Sequence, residues 1–249
     1  FVGPLASMVA ASLTGPSGLT LRNYEFLVTR QIEAYDFQVK PLTAVSNSLL
    51  FGVVSLALAV PMGVLVAVLS TRRFRGRKAV DALAMAPFAV SGIVVGLGLL
   101  RGLVFGFEAF GYRVRVVGAV AIVAAHAVGA YPFVTRNVAP MLSSIDRSMV
   151  ESARSLGASR FRTLLDIELP LVFGGVIAGA AFAFAISMGE FDSTVILATG
   201  SQSYTIPVAM ERFLGRRLGP ATAMGCVLLA VTAASFVVID RAGEGFRGG

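Results

Sequence analysis

The chain alternates between long runs without charge and short stretches that hold several charges. Five apolar runs dominate: about Ala44 to Ser70, Val80 to Phe105, Val116 to Thr135, Leu171 to Ala198 and Gly219 to Ile239. At 1.5 Å of helical rise per residue, each reaches across a hydrocarbon core of roughly 30 Å. They predict five membrane-crossing helices. Residues 1–13 are also apolar but too few to cross, and no basic stretch precedes them as a signal peptide would require. They read as the end of a truncated membrane helix in a longer chain. The expected fold is all-α: a polytopic membrane helix bundle with five complete transmembrane helices plus a truncated N-terminal one. The expected organisation is a helix end and external loop over 1–43, a membrane domain over 44–240 and a cytoplasmic tail over 241–249.

Orientation follows from basic residues in short loops. The loop after the first whole span holds Arg72, Arg73, Arg75, Arg77 and Lys78 with no acid among them, which places it in the cytoplasm. Alternation then puts 106–115 outside, 136–170 inside, 199–218 outside and the C-terminus inside. The 199–218 loop carries Arg212, Arg216 and Arg217 against this rule, but the first loop has the sharper bias. Within it, Tyr204 to Leu214 reads as a short external helix that either borders an outer mouth or lies on the membrane.

The 136–170 loop is the longest internal one and has its own pattern. Asp146 can cap a short helix in which Met149, Val150, Ala153 and Leu156 share a face. Gly157 ends that helix as a C′ glycine would. Ser159 can cap a second helix, with Phe161, Leu164 and Leu165 on one side, and Pro170 separates it from the next span. A helix-turn-helix hung between two membrane helices is either a docking element or an amphipathic pair on the membrane surface.

Composition agrees with the pattern. Hydrophobic residues make up 56% and charged residues 14%, against roughly 25% charged in an average soluble protein. Mean hydropathy is +0.80. The net charge of +7 clusters beside apolar runs, so membrane orientation explains it and nucleic-acid binding does not. Cys226, alone of its kind, excludes a disulfide framework or a cysteine metal site within the chain. A phosphate-binding P-loop needs G-x-x-x-x-G-K-[ST], because its lysine and backbone amides cradle the phosphates. The two lysines, Lys40 and Lys78, neither follow a glycine nor precede Ser or Thr. ATP, if it drives this protein, binds another chain; no cofactor is expected in this one.

A few polar residues lie inside the apolar runs. Glu190 and Asp192 fall late in the fourth span, and a charge at bilayer depth costs roughly 2.5–3.5 kcal/mol on insertion scales. They either line a translocation path near an outer gate or play a structural part, such as a pair with Arg101 or exposure at the interface. Two residues apart, they occupy different helix faces and make no carboxylate pair. His126 reads as a hydrogen-bonded packing residue rather than a ligand. Gly92, Gly96 and Gly98 permit close helix contact or give a path-lining helix room to flex; Gly96 joins the path candidates. There is no triad, metal cluster or dinucleotide fingerprint. An ATP-independent secondary transporter or channel would explain the spans and acids but not the patterned loop.

Within that loop, Glu151-Ser152-Ala153, then Gly157, then Ile167, Leu169 and Pro170 match E-A-A, three residues, G, nine residues, I-x-L-P. This resembles the "EAA" signature of ATP-binding-cassette importer permeases, with Ser152 in place of the first alanine. Asn47-Ser48, Pro87 with Gly92 to Gly98, His126 with Pro132, Phe133 and Arg136, and Met188-Gly189-Glu190-Phe191 extend the resemblance over roughly 44–240. The combination is most like the subgroup importing thiamine or ferric iron, and somewhat less like sulfate or molybdate permeases. The resemblance implies a multi-pass protein of a prokaryotic inner membrane, with two permease halves forming the pathway. It implies three further partners: an ATPase subunit carrying ATP and Mg, an external solute-binding protein, and the lipid bilayer. It also implies that Glu151, Ser152, Ala153, Arg154, Leu156 and Gly157 form a coupling helix seated in the ATPase, followed by Ile167, Leu169 and Pro170.

Overall fold

The computed structural model describes residues 2–16, 18–29, 40–72, 74–109, 112–116 and 118–247. The first stretch is α1 (Val2–Ser12), a small hairpin of β1 (Thr14–Gly15) and β2 (Gly18–Leu19), and α2 (Arg22–Thr29). Then come α3 (Pro41–Thr71), α4 (Arg77–Ala89), α5 (Gly92–Leu99) with a π-helical turn at Leu100–Val104, and a second hairpin of β3 (Phe107–Ala109) and β4 (Tyr112–Val114). Next are α6 (Ala119–Ser144), α7 (Arg147–Ser155), α8 (Arg160–Thr163), a π-helical turn at Leu164–Glu168, and α9 (Leu169–Gly189). The chain closes with α10 (Asp192–Leu197), α11 (Ile206–Leu214) and α12 (Leu218–Arg247). The fold is an all-α membrane bundle.

Among the described residues four helical stretches are long and apolar enough to cross a bilayer: 41–71, 119–144, 160–189 and 218–239. A fifth crossing exists if α4 and α5 are taken together, and these are bent by 103°. The second expected span is therefore not one straight helix but two, forming a broken span or a re-entrant loop. Val90 is extended, and the Ser91 side chain caps α5 by accepting the Ile93 N–H. That cap restarts the helix in a new direction, a local event that an apolar run conceals.

Two other expected boundaries move. The third span continues past Thr135 to Ser144 with Pro132 and Pro140 inside it. Buried packing against neighbouring helices offsets the lost backbone bonds, as membrane helices tolerate. The fourth does not reach Ala198: it ends at Gly189, and α10 is separate. Pro170 also fails to separate the loop's second helix from α9, since 160–189 forms one helical stretch. Proline cannot donate the usual bond. The wider turn before it takes up the mismatch, with the Leu169 N–H reaching back to the Leu164 carbonyl.

The core is built on α6, which packs against α3 on one side and α9 on the other. Ala59, Ala67, Ala127, Ala130, Val134 and Val138 fill this contact. The helices approach so closely that a Cβ on Gly63 would lie 2.7 Å from the Tyr131 carbonyl oxygen, and one on Gly179 2.8 Å from Val134 Cα. Backbone atoms cannot yield, so only glycine fits, as expected of membrane packing with small residues. A second cluster joins α2, α3, α9, α11 and α12 through Leu27, Ala44, Phe184, Met188, Phe213 and Met224. One face of α11 is thus buried in the bundle, which decides against a helix lying loosely on the membrane. Cys226 of α12 packs beside Ser12 of α1, as a small packing residue should.

Candidate functional site

Asp146 begins the patterned loop. Its side chain accepts the Ser148 N–H at 2.9 Å and caps α7. That same bond holds its carboxyl below the ordinary aspartate range. The helix ends as a Schellman motif: the Gly157 N–H bonds the Arg154 carbonyl and the Ala158 N–H the Ala153 carbonyl. This requires a left-handed residue, and Gly157 has φ +92°. Ser159 then accepts the Arg162 N–H and starts α8. Both caps and the stop lie where the local sequence puts them.

The apolar residues of this element divide. Val150 and Ala153 are half-buried, but Met149 is 47%, Leu156 90% and Phe161 69% exposed. The expected single apolar face is therefore two surfaces. Arg147, Val150, Glu151 and Arg154 look toward the ends of α3 and α6, while Met149, Ser152 and Leu156 look away from the bundle. Ile167 is half-buried, and Leu169 and Pro170 border an apolar groove beside α3. A short helix capped at both ends thus holds large apolar side chains outward.

One residue pair behind this loop was not legible in the sequence. Arg72 closes α3, and its Nη2 donates to both carboxylate oxygens of Glu168 at 2.8 Å. Glu168 is buried, with its side chain 8% exposed. The pair fastens the loop's second helix to the turn that follows α3. Arg72 stands in a run of five basic residues, and only the fold singles it out.

At the other end of α9, Glu190 and Asp192 flank the break. The Glu190 Oε1 accepts the Ser193 N–H at 3.0 Å and the Ser193 hydroxyl at 2.9 Å, so this carboxylate caps α10. The expectation that the two acids sit on different helix faces fails because no helix joins them. Both carboxyl side chains meet Gly92: a Cβ there would lie 2.8 Å from Asp192 Cβ and 3.1 Å from Glu190 Oε1. One on Gly96 would lie 3.0 Å from Ser193 Cα. The Gly92 to Gly96 stretch of α5 thus lies directly on α10. Among the described residues neither acid forms an ion pair with Arg101.

His126 is buried between the two pieces, bonded to the Ser187 hydroxyl of α9 at 2.8 Å and the Thr194 hydroxyl of α10 at 2.7 Å. It is the packing histidine expected, and it also bridges the break. Phe133 and Arg136 hold α4, with Phe133 edge-on to Phe88 and the Arg136 guanidinium over the same ring. Asn47 donates to the carbonyls of Gln202 and Tyr204, and the Ser48 hydroxyl accepts the Ile206 N–H. Each short motif inside the membrane thus ties one helix to a distant one. Among the described residues no group of His, Cys, Asp and Glu could hold a metal.

A bundle of this form with a capped, outward loop is that of a transporter's membrane subunit. The chain belongs to the binding-protein-dependent transport system inner membrane component family, whose model matches residues 59–247. It is 31% identical to a sulfate transport system permease protein of Synechocystis over 242 residues, covering 93% of this chain and 82% of that one. It is 31% identical to a molybdenum transport system permease protein of Haemophilus influenzae over 192 residues, 70% and 80% of the two chains. A probable molybdenum permease of Haloferax volcanii is 30% identical over 81% of this chain and 76% of its own. Among solved structures, a bacterial alginate ABC transporter shares the fold at TM-score 0.76 and 17% identity, covering 96% and 88% of the two chains. A methionine ABC transporter does so at TM-score 0.58 and 19% identity, with 83% and 92% covered. The chain is a non-catalytic permease subunit of an ABC transport system in a membrane.

Proposed function

We propose that this chain forms half of an import pathway for a tetrahedral oxyanion, sulfate or the molybdenum oxyanion, and is driven by a separate ATPase seated on α7. The relatives named above carry the solute half of this reading. Their sulfate and molybdenum assignments favour an oxyanion over the thiamine or ferric iron that the motif combination suggested. The capped α7, with Met149 and Leu156 turned outward, carries the docking half. A second permease half, an external binding protein and a cytoplasmic C-terminus complete the arrangement. The segment Glu151 to Gly157 forms the seat on the ATPase, with Ser152 and Leu156 on its outward side and Glu151 and Arg154 toward α3, and Ile167, Leu169 and Pro170 connect it to α9.

On this reading Glu190, Asp192 and Gly96 shape the outer end of the path rather than bind solute. The Glu190 carboxylate is already engaged in capping α10, and a free carboxylate would repel an oxyanion. The test is reconstitution of the permease with its ATPase and binding protein in vesicles. Sulfate or molybdate should stimulate ATP hydrolysis and accumulate inside. Stimulation by thiamine or ferric iron, with none by either oxyanion, would overturn the solute assignment.

A further inference from the structure

Two cavities meet at the end of the bundle nearest α7. One is an apolar groove of about 1130 Å³, lined by Pro61, Leu65 and Val68 of α3, Met141 of α6, and Leu165 and Leu169 of the helix leading into α9. Leu65 is 59% and Leu165 44% exposed, so the groove opens outward from the bundle. The other is a polar cavity of about 440 Å³, lined by Arg72, Arg77, Arg147, Arg154, Glu151 and Glu168. The two are consecutive. Pro61, Leu65 and Val68 recur every three or four residues on one face of α3, and Arg72 follows as its C-cap. Glu168 and Leu169 are neighbours on the facing helix, as are Met141 and Leu142 on α6, with one of each pair in each cavity. An apolar groove thus leads along the membrane helices into a chamber lined by arginines.

The charges in that chamber do not cancel. Glu168 is taken by Arg72, and Arg77 pairs with Asp81. Among the described residues Arg147 and Arg154 form no ion pair, and Glu151 is the only other acid lining the cavity. Against the single carboxylate of Glu151, the guanidiniums of Arg147 and Arg154 leave the cavity with an excess of one positive charge, and their fork geometry suits a phosphate. Basic pockets between membrane helices at the cytoplasmic side are where anionic headgroups bind.

We infer that this composite site holds an anionic phospholipid of the adjacent leaflet, with its acyl chains in the apolar groove and its phosphate between Arg147 and Arg154. The inference rests on the chain spanning a bilayer with α7 at the cytoplasmic surface, and not on the identity of the solute. A second copy of this chain is a poorer occupant, because it brings the same basic end to the same depth, and like charges repel. The lipid would brace α7 against α3 from the side opposite Met149 and Leu156, leaving the outward face free for the ATPase.

Native mass spectrometry of the permease–ATPase complex tests this with three probes: phosphatidylglycerol, phosphatidylcholine and inorganic sulfate. Phosphatidylglycerol should be retained about tenfold better than phosphatidylcholine. Joint Arg147→Gln and Arg154→Gln should remove that preference, and Leu65→Trp, which fills an already exposed position in the groove, should weaken retention of both lipids. Equal retention of the two lipids by the unaltered complex would overturn the proposal. So would displacement of phosphatidylglycerol by sulfate together with normal retention by Leu65→Trp, which would indicate a free-anion site. Cross-linking between copies through Leu65→Cys, with lipid present, would assign the groove to a subunit interface instead. All of these readouts are independent of transport.

Discussion

Gly157 is the residue on which the turn between α7 and α8 depends. Nothing lies within 4 Å of the position a Cβ would take, so a side chain there meets no steric obstacle. Any penalty comes from the backbone alone: at φ +92° an L residue costs roughly 1–2 kcal/mol, more when β-branched. Gly157→Val should therefore insert and fold but change the angle between α7 and α8. Pull-down of the ATPase and coupled uptake should both fall sharply, and unaltered values for both would remove the docking role. A different asymmetry governs the Arg72–Glu168 pair. Arg72→Met strands a buried carboxylate, whereas Glu168→Gln leaves an arginine that is 41% exposed and can turn to water. Arg72→Met should be the more destabilising, by about 1–3 kcal/mol after allowing for that exposure. Thermal unfolding of the two variants in detergent decides it; the reverse order would mean the pair is not held as drawn.

At the scale of elements, the caps of α7 and α8 were legible because Asp146, Gly157 and Ser159 act within a few residues of themselves. The breaks at Val90 and Glu190 were not, because hydropathy reports whether a stretch prefers lipid and is silent about its direction. What holds the second break is a set of contacts between α5 and α10, where Gly92 and Gly96 leave little room for a side chain. Gly96→Val would place a branched side chain where even a Cβ comes within 3.0 Å of Ser193 Cα. It should displace α10 and lower transport, while ATPase pull-down persists because α7 lies at the other end of α9. Loss of ATPase binding in this variant would show that the two ends are not separable.

For the whole molecule, the prediction concerns sidedness. The Arg72 to Lys78 cluster argues that α7 and the start of α4 face the cytoplasm, with α11 outside. Single cysteines at the exposed positions Arg75 and Glu211, in a Cys226→Ser background, can be labelled in sealed cells. A membrane-impermeant reagent should reach position 211 and not 75; the opposite pattern would invert the topology. By itself the sequence determined which stretches prefer lipid, where the short helices of the patterned loop begin and stop, and that the chain carries no Walker-type phosphate-binding loop. Each of these depends on residues close together in the chain, through hydropathy, capping and the absence of a phosphate-binding loop. Only the tertiary structure decided that Arg72 holds Glu168, that His126 joins α9 to α10, that Glu190 caps rather than projects, and that an apolar groove opens into an arginine-lined cavity. Those partners lie far apart in the chain, or across a change of helix direction, and no local pattern marks which polar residue will meet which.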